Sequence, residues 1–387
     1  MDKTEVSKRQ LVVLIVMMIL GAKFLLLPSV LAQFAGRDAW IAAAVLFVSD
    51  FICLLAILRA FAVNKNEMSF TDVLSKTLTG VVAKIILLLY ALFFVYRSIF
   101  SYLSVYGLLT TMFSTVTNWP GFVIPVLFVV GYNVFKGIKN IARLTEAMIF
   151  FFVIAALLII VLSATGVHSL APLLADGLAP VGSAMQKGAF WFSDCVFLVF
   201  LLAKFKPSLK EDDAKTRKKG EKALFLSASA GFWFAAICTV AFVAVFISLY
   251  GNLAQYGENA IAKVSGFGSG LSSESRLDWL LVMLWLSAVV IKTMVFLYCA
   301  CAAVRAVIGV RGEKAEMLVT VGIGLLILIL PLFVDFKGFA NDYIFNGAGR
   351  FVFYIPQYVV PLLLPLLVFL ANRKGKGKAE IVRQKGL

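Results

Sequence analysis

Ten apolar runs, most of them long enough to cross a bilayer, follow one another along this chain of 387 residues. They fall at roughly 10–32, 40–60, 82–110, 120–137, 145–166, 187–204, 222–250, 278–305, 315–334 and 351–371. About 20 apolar residues in a helix cross the ~30 Å hydrocarbon core. In lipid every backbone N–H and C=O must be satisfied within the protein, so helices and closed barrels alone can span. Runs of this length without two-residue alternation read as helices. The expected fold is therefore an all-α polytopic membrane protein: one transmembrane domain over 1–372 and a basic cytoplasmic tail over 373–387. Composition agrees, with 61% hydrophobic residues, 15% charged and a mean hydropathy of +0.96. A soluble chain of this length cannot cover that much apolar surface.

A net charge of +15 raises the question of nucleic acid, and the distribution of the charge answers it. With the N-terminus inside, 27 of the 36 Lys and Arg fall in inner loops and tails, 6 in outer loops and 3 within spans. That is the positive-inside pattern with both termini cytoplasmic, and it argues against a nucleic-acid partner. The run Lys215-Thr216-Arg217-Lys218-Lys219 then anchors the topology. Lys8 and Arg9 ahead of an apolar run resemble the start of a signal peptide, but the run is too long for one and is expected to be retained. Cys53, Cys195, Cys238, Cys299 and Cys301 all lie in spans without metal or redox spacing, and the single histidine, His168, lies in an outer loop. With no phosphate-cradling glycine motif and no nucleophile elbow, the reading is no enzyme, no metal and no cofactor.

The exceptions inside the spans carry the functional signal. Gly21-Ala22-Lys23-Phe24-Leu25-Leu26-Leu27-Pro28 puts a helix weakener, a cation and a helix breaker into the first run. A cation at mid-membrane costs about 2.5–3.5 kcal/mol on insertion scales and by default marks a functional site. Asp50, Arg97, Ser193-Asp194 and Lys292 also come out near mid-depth. On the third span Arg97, Ser101 and Ser104 share a face next to Tyr102, which should look into the bundle. The spans divide five plus five, giving a first repeat at about 8–166 and an inverted second at about 187–372. The first span of each repeat, helices 1 and 6, carries a mid-depth charge and is expected to be interrupted, as at the substrate sites of secondary transporters. Two readings stand: a binding site built from Gly21, Ala22, Lys23, Phe24, Arg97, Ser101, Tyr102, Ser193 and Asp194 with Asp50 and Lys292 as charge network or coupling residues, or a neutralising network that only holds helices together. Elsewhere, Ser69 is a candidate N-cap of a short surface helix, Arg143 and Glu146 are placed to pair, and Pro356, Pro361 and Pro365 point to a kinked last helix.

Gly21-Ala22-Lys23-Phe24 to Pro28 resembles the Gly-rich break in the first helix of the amino acid–polyamine–organocation (APC) transporter superfamily. Over 7–371 the chain resembles one branch, the B subunits of the spore-germination nutrient receptors of endospore-forming Firmicutes. The resemblance is carried by Ala35 to Trp40, Ser69-Phe70-Thr71-Asp72, Gly137 to Glu146, Phe192-Ser193-Asp194, Arg276-Leu277-Asp278 with Trp285, and Ile291-Lys292. Lys139 stands where the branch usually has Glu, Asp194 is a shorter acid, and Lys23 replaces a small residue, which sets sodium coupling in question. The resemblance implies a 5+5 inverted-repeat, APC/LeuT-like fold. It also implies a germinant-sensing role for small nutrients, typically amino acids, with receptor A and C subunits as partners in the inner spore membrane. On that basis Lys23 or Arg97 would meet a ligand carboxylate, Asp194 its ammonium, and Phe24 and Tyr102 an apolar side chain. An autonomous proton-coupled amino-acid transporter is the alternative expectation.

Overall fold

A computed structural model describes residues 6–64, 67–112, 119–163, 170–171, 173–204, 214–256, 260, 264, 277–310, 312–335, 338, 347 and 349–385. His168 and Arg276 lie outside the described residues, and so do the side chains of Lys215 to Lys218. The chain is nearly all helix. Ser7 starts α1 (Lys8–Ala35) with a reciprocal cap: its Oγ accepts from the Gln10 amide at 3.2 Å, and the Gln10 side chain accepts from the Ser7 amide at 3.1 Å. Gly36, at φ 52°, ends α1 and begins a 3₁₀ turn over Gly36–Asp38. Then follow α2 (Ala39–Val63), α3 (Phe70–Thr77), α4 (Gly80–Met112), α5 (Trp119–Lys136), α6 (Ile138–Ser163) and α7 (Ala179–Gly188). The second part holds α8 (Ala214–Tyr250), α9 (Leu277–Ile308), α10 (Glu313–Phe333), α11 (Gly349–Tyr354) and α12 (Val360–Lys385). Ser69 does cap α3, in a capping box with Asp72.

Eight stretches among the described residues are long and apolar enough to cross a membrane. The first, Lys23–Val63, takes in both the outer half of α1 and α2, and Ile124–Lys136 is a shorter apolar helix. α1 runs through the middle of the bundle, packed by α2, α6, α7, α8 and α9, and is buried on nearly every side. Its near-uniform apolar surface is what a fully surrounded helix requires. α9 lies along α4, and α12 lies along α2. The outward faces of α5, α6, α10 and α12 expose Phe128, Phe150, Leu318 and Leu366, as a lipid-facing surface should.

The two expected helix breaks differ. α1 stays helical through Gly21, Lys23 and Pro28, so the interruption expected in helix 1 is absent. Pro28 removes one N–H from the ladder, but the helices around α1 hold its course. The sixth span is broken. After α7 comes a 3₁₀ turn (Ala189–Trp191), then Phe192 in extended conformation, Ser193 at φ 64° and ψ 33°, and a 3₁₀ segment over Asp194–Leu201. The last span also departs from a regular helix, with a π-helical turn at Ile355–Val359 between α11 and α12; Pro361 and Pro365 are accommodated within α12. Glu146 pairs with Arg9, at 3.4 Å, and with Gln10, at 3.0 Å, and not with Arg143. Glu146 faces α1 while Arg143 points outward and is exposed.

Candidate functional site

The break in the sixth span places Asp194 at the first position of the inner segment, wholly buried. Three cations from three other helices converge on this one carboxylate. Lys23 of α1 donates to Oδ2. Arg97 of α4 and Lys292 of α9 reach Oδ1, at 2.5 Å and 2.8 Å. Arg97 also donates to the Phe190 carbonyl, and Lys292 to the Met18 carbonyl at 3.0 Å. Arg97 and Lys292 each thus link Asp194 to a backbone oxygen, and charge-assisted bonds of this kind are the strong ones.

Asp50 of α2 takes a different task. Its carboxylate accepts from the Ser193 amide at 2.6 and 2.7 Å and from the Ser193 hydroxyl at 3.1 Å. The left-handed conformation of Ser193 costs a non-glycine residue about 1–2 kcal/mol, and Asp50 holds the freed N–H that the conformation creates. Gln357 supports the other side of the break, donating to the Ala189 carbonyl at 2.5 Å and to the Phe192 carbonyl at 3.3 Å.

All five charges are sealed in: Lys23 and Asp194 are 0% exposed, Asp50 1%, Lys292 2% and Arg97 4%. Three cationic side chains face two carboxylates, a formal excess of one positive charge. Aromatic rings surround it. The Lys23 ammonium lies 5.0 Å from the Phe192 ring centre and 5.5 Å from that of Phe47, and the Arg97 guanidinium lies 5.1 Å from both Phe190 and Phe296. These faces help hold cations away from water. Phe24 is stacked between Phe242, at 4.2 Å, and Trp285, at 4.5 Å.

Lys23, Arg97, Ser193, Asp194, Asp50 and Lys292, singled out in the sequence, are therefore brought together. Gly21 is near them for another reason. A Cβ there would sit 3.4 Å from the Ala288 carbonyl and 3.7 Å from Lys292 Cδ, so glycine lets α9 approach α1. Its own carbonyl accepts from Trp285 Nε1 at 2.6 Å. Ala22 is helical, and its side chain lies outside the described residues. Ser101 and Tyr102 are buried on α4 about a turn beyond Arg97 and are not among the side chains that bond Asp194. Sequence reasoning missed Gln357; a lone buried amide beside Pro356 in an apolar run was the available signal. Among the described residues no group of three His, Cys, Asp or Glu is placed to hold a metal ion, and all five cysteines are buried and free.

The profile of the spore germination protein family, the spore permeases, matches residues 5–335. The chain belongs to this family. A curated relative, spore germination protein KB of Bacillus subtilis (strain 168), is 26% identical over 400 residues, covering 98% of this chain and 99% of that protein. Solved transporters share the fold at low identity. Mhp1, a nucleobase-cation-symport-1 family transporter in a closed conformation with bromovinylhydantoin bound, aligns with a TM-score of 0.65 at 14% identity, over 95% of this chain and 91% of its own. MhsT in complex with L-phenylalanine aligns at 0.59 and 15% identity, over 96% and 89%. The manganese transporter of Eremococcus coleocola aligns at 0.55 and 14%, over 94% and 85%. The fold is thus one that solved membrane transporters share, and the chain is an integral membrane protein of APC/LeuT-like architecture.

Proposed function

We propose that this chain is the ligand-sensing membrane subunit of a germinant receptor, taking a small nutrient, an amino acid, at the charge cluster and signalling through partner A and C subunits. The observation that carries the reading is the sharing of Asp194 by Lys23, Arg97 and Lys292 at the break of the sixth span, with a formal excess of positive charge. A zwitterion has a carboxylate to offer the surplus cation and an ammonium for Asp194. Its arrival exchanges internal pairs for ligand pairs at nearly constant charge. That gives the ligand different contacts in the closed and rearranged forms, without which it could not shift a conformational equilibrium. MhsT, with the same fold, holds L-phenylalanine. The wholly buried cluster corresponds to an occluded form, with both termini cytoplasmic and the host membrane the inner spore membrane.

The second reading, an autonomous proton-coupled amino-acid transporter, is favoured by Lys292, a buried ammonium 2.8 Å from Asp194 and so placed to exchange a proton with it. Uptake of a labelled amino acid by proteoliposomes separates the two. The sensor reading expects binding without accumulation by the purified chain, and a germination signal only with the A and C partners. Accumulation driven by an imposed proton gradient in the chain alone would contradict it.

A further inference from the structure

A second set of complementary groups lies in a narrow cleft between the end of α7 and the start of the last span, on the side that the charge distribution places outside. Lys187, Phe190, Arg350, Phe353 and Gln357 line it. Gln357 is fully buried; its amide nitrogen is bonded to the Ala189 and Phe192 carbonyls, and its Oε1 accepts no hydrogen bond among the described residues. Buried acceptors of this kind are rare and call for an explanation. Arg350 is held beside the cleft by Gln186, whose side-chain oxygen, turned toward it, accepts at 3.1 and 3.3 Å. Its Nε is buried and has no acceptor among the described residues. Phe190 and Phe353 meet edge to face at 5.7 Å, and the walls close too tightly for a water-sized sphere.

We propose that this cleft is an outer subsite for an α-amino acid with an apolar side chain, which enters by parting Phe353 from Phe190. Its carboxylate meets Arg350 and Lys187, its ammonium donates to Gln357 Oε1, and its side chain replaces the ring contact. The carboxylate, ammonium and side chain of a zwitterionic apolar amino acid are thereby each matched to a group of the cleft, and Arg350 Nε and Gln357 Oε1 otherwise have no partner among the described residues. The subsite is also wired to the charge cluster. Phe190 presents its ring to the cleft and its carbonyl to Arg97, and Gln357 holds both carbonyls that flank the break. The proposal rests on the amino-acid reading of this chain but has its own test.

Phe353→Cys in the full-length chain gives a thiol in the cleft, against five native cysteines that are all buried. Its labelling by a membrane-impermeant maleimide is followed with L-alanine, L-leucine or L-phenylalanine present. At ten times Kd, occupancy slows labelling about tenfold. Protection is expected from at least one of the three, not from its carboxamide, and is expected to vanish with Arg350→Ala and persist with Lys23→Met. Tyr354→Cys serves as a second reporter should the first variant fold poorly. No protection by any of the three at either reporter, or protection that Arg350→Ala leaves unchanged, overturns the proposal. Stabilisation of the wild type by an amino acid that gives no such protection would sink the cleft and leave the mid-membrane reading standing.

Discussion

One carboxylate shared by three cations makes Asp194 far less replaceable than any of its partners. Removing one member of a buried ion pair typically costs about 3–5 kcal/mol, because the other is left buried and uncompensated. Asp194→Asn is therefore expected to lower the thermal unfolding temperature sharply. Adding Lys23→Met should recover part of the loss, a coupling that a double-mutant cycle reads directly; strictly additive losses would contradict the shared carboxylate. Lys23→Met alone leaves Asp194 with Arg97 and Lys292 and brings the five-charge cluster to neutrality, so it is expected to fold. Ser193 gives a second test. At φ 64° glycine should be tolerated despite the lost hydroxyl bond to Asp50, whereas Ser193→Val should cost at least about 1–2 kcal/mol, checked by the same unfolding assay. The charges themselves were legible in the sequence because they interrupt apolar runs. Which of them meet was not, since that depends on how each helix is rotated in the bundle. Asp50 looks like a second carboxylate partner of the cations and instead binds the Ser193 backbone. Gln357 passed unnoticed because an uncharged amide in a span can serve helix packing and does not by default mark a functional site as a charge does.

At the scale of elements, the first and sixth spans carry similar sequence warnings and fold differently. The first has Gly21 and Pro28, yet remains helical because α6, α7, α8 and α9 enclose it and because Gly21 serves contact with α9. The sixth contains no proline at its break, Phe192-Ser193; Asp50 and Gln357 stabilise the unwound backbone from outside the span. Breaker residues report what a helix tolerates, and the surrounding side chains decide whether it breaks. The close approach of α1 and α8 depends on another small residue. A Cβ at Gly231 would come within 2.8 Å of Val12 Cγ1 and 3.2 Å of Val16 Cγ2. Gly231→Leu is expected to force these helices apart at a cost of about 1–3 kcal/mol, seen as a lower unfolding temperature; an unchanged temperature would show that α1 has slack.

Across the whole molecule, the membrane-spanning, all-helical class follows from lengths of apolar sequence. The closed state does not, because it depends on contacts between distant segments. The Val6 amide donates to the Lys204 carbonyl at 3.1 Å, Asn64 donates to the Leu202 carbonyl at 3.4 Å, and Glu146 holds Arg9 and Gln10. These contacts tie the ends of α1, α2 and α6 to the end of the broken span and leave the charge cluster sealed. A ligand for that cluster must then select a rearranged, still folded form, and it stabilises the folded protein by RT ln(1 + [L]/Kd), about 2.7 kcal/mol at 100 Kd. The most direct measurement is the thermal unfolding of the purified chain with a panel of L-amino acids, comparing wild type with Lys23→Met. One or more amino acids are expected to raise the wild-type unfolding temperature well above the rise they give the folded Lys23→Met protein, which keeps only what binding at the outer cleft contributes. Equal stabilisation of both proteins would place the ligand elsewhere and reduce the Lys23–Asp194 pair to a structural tie.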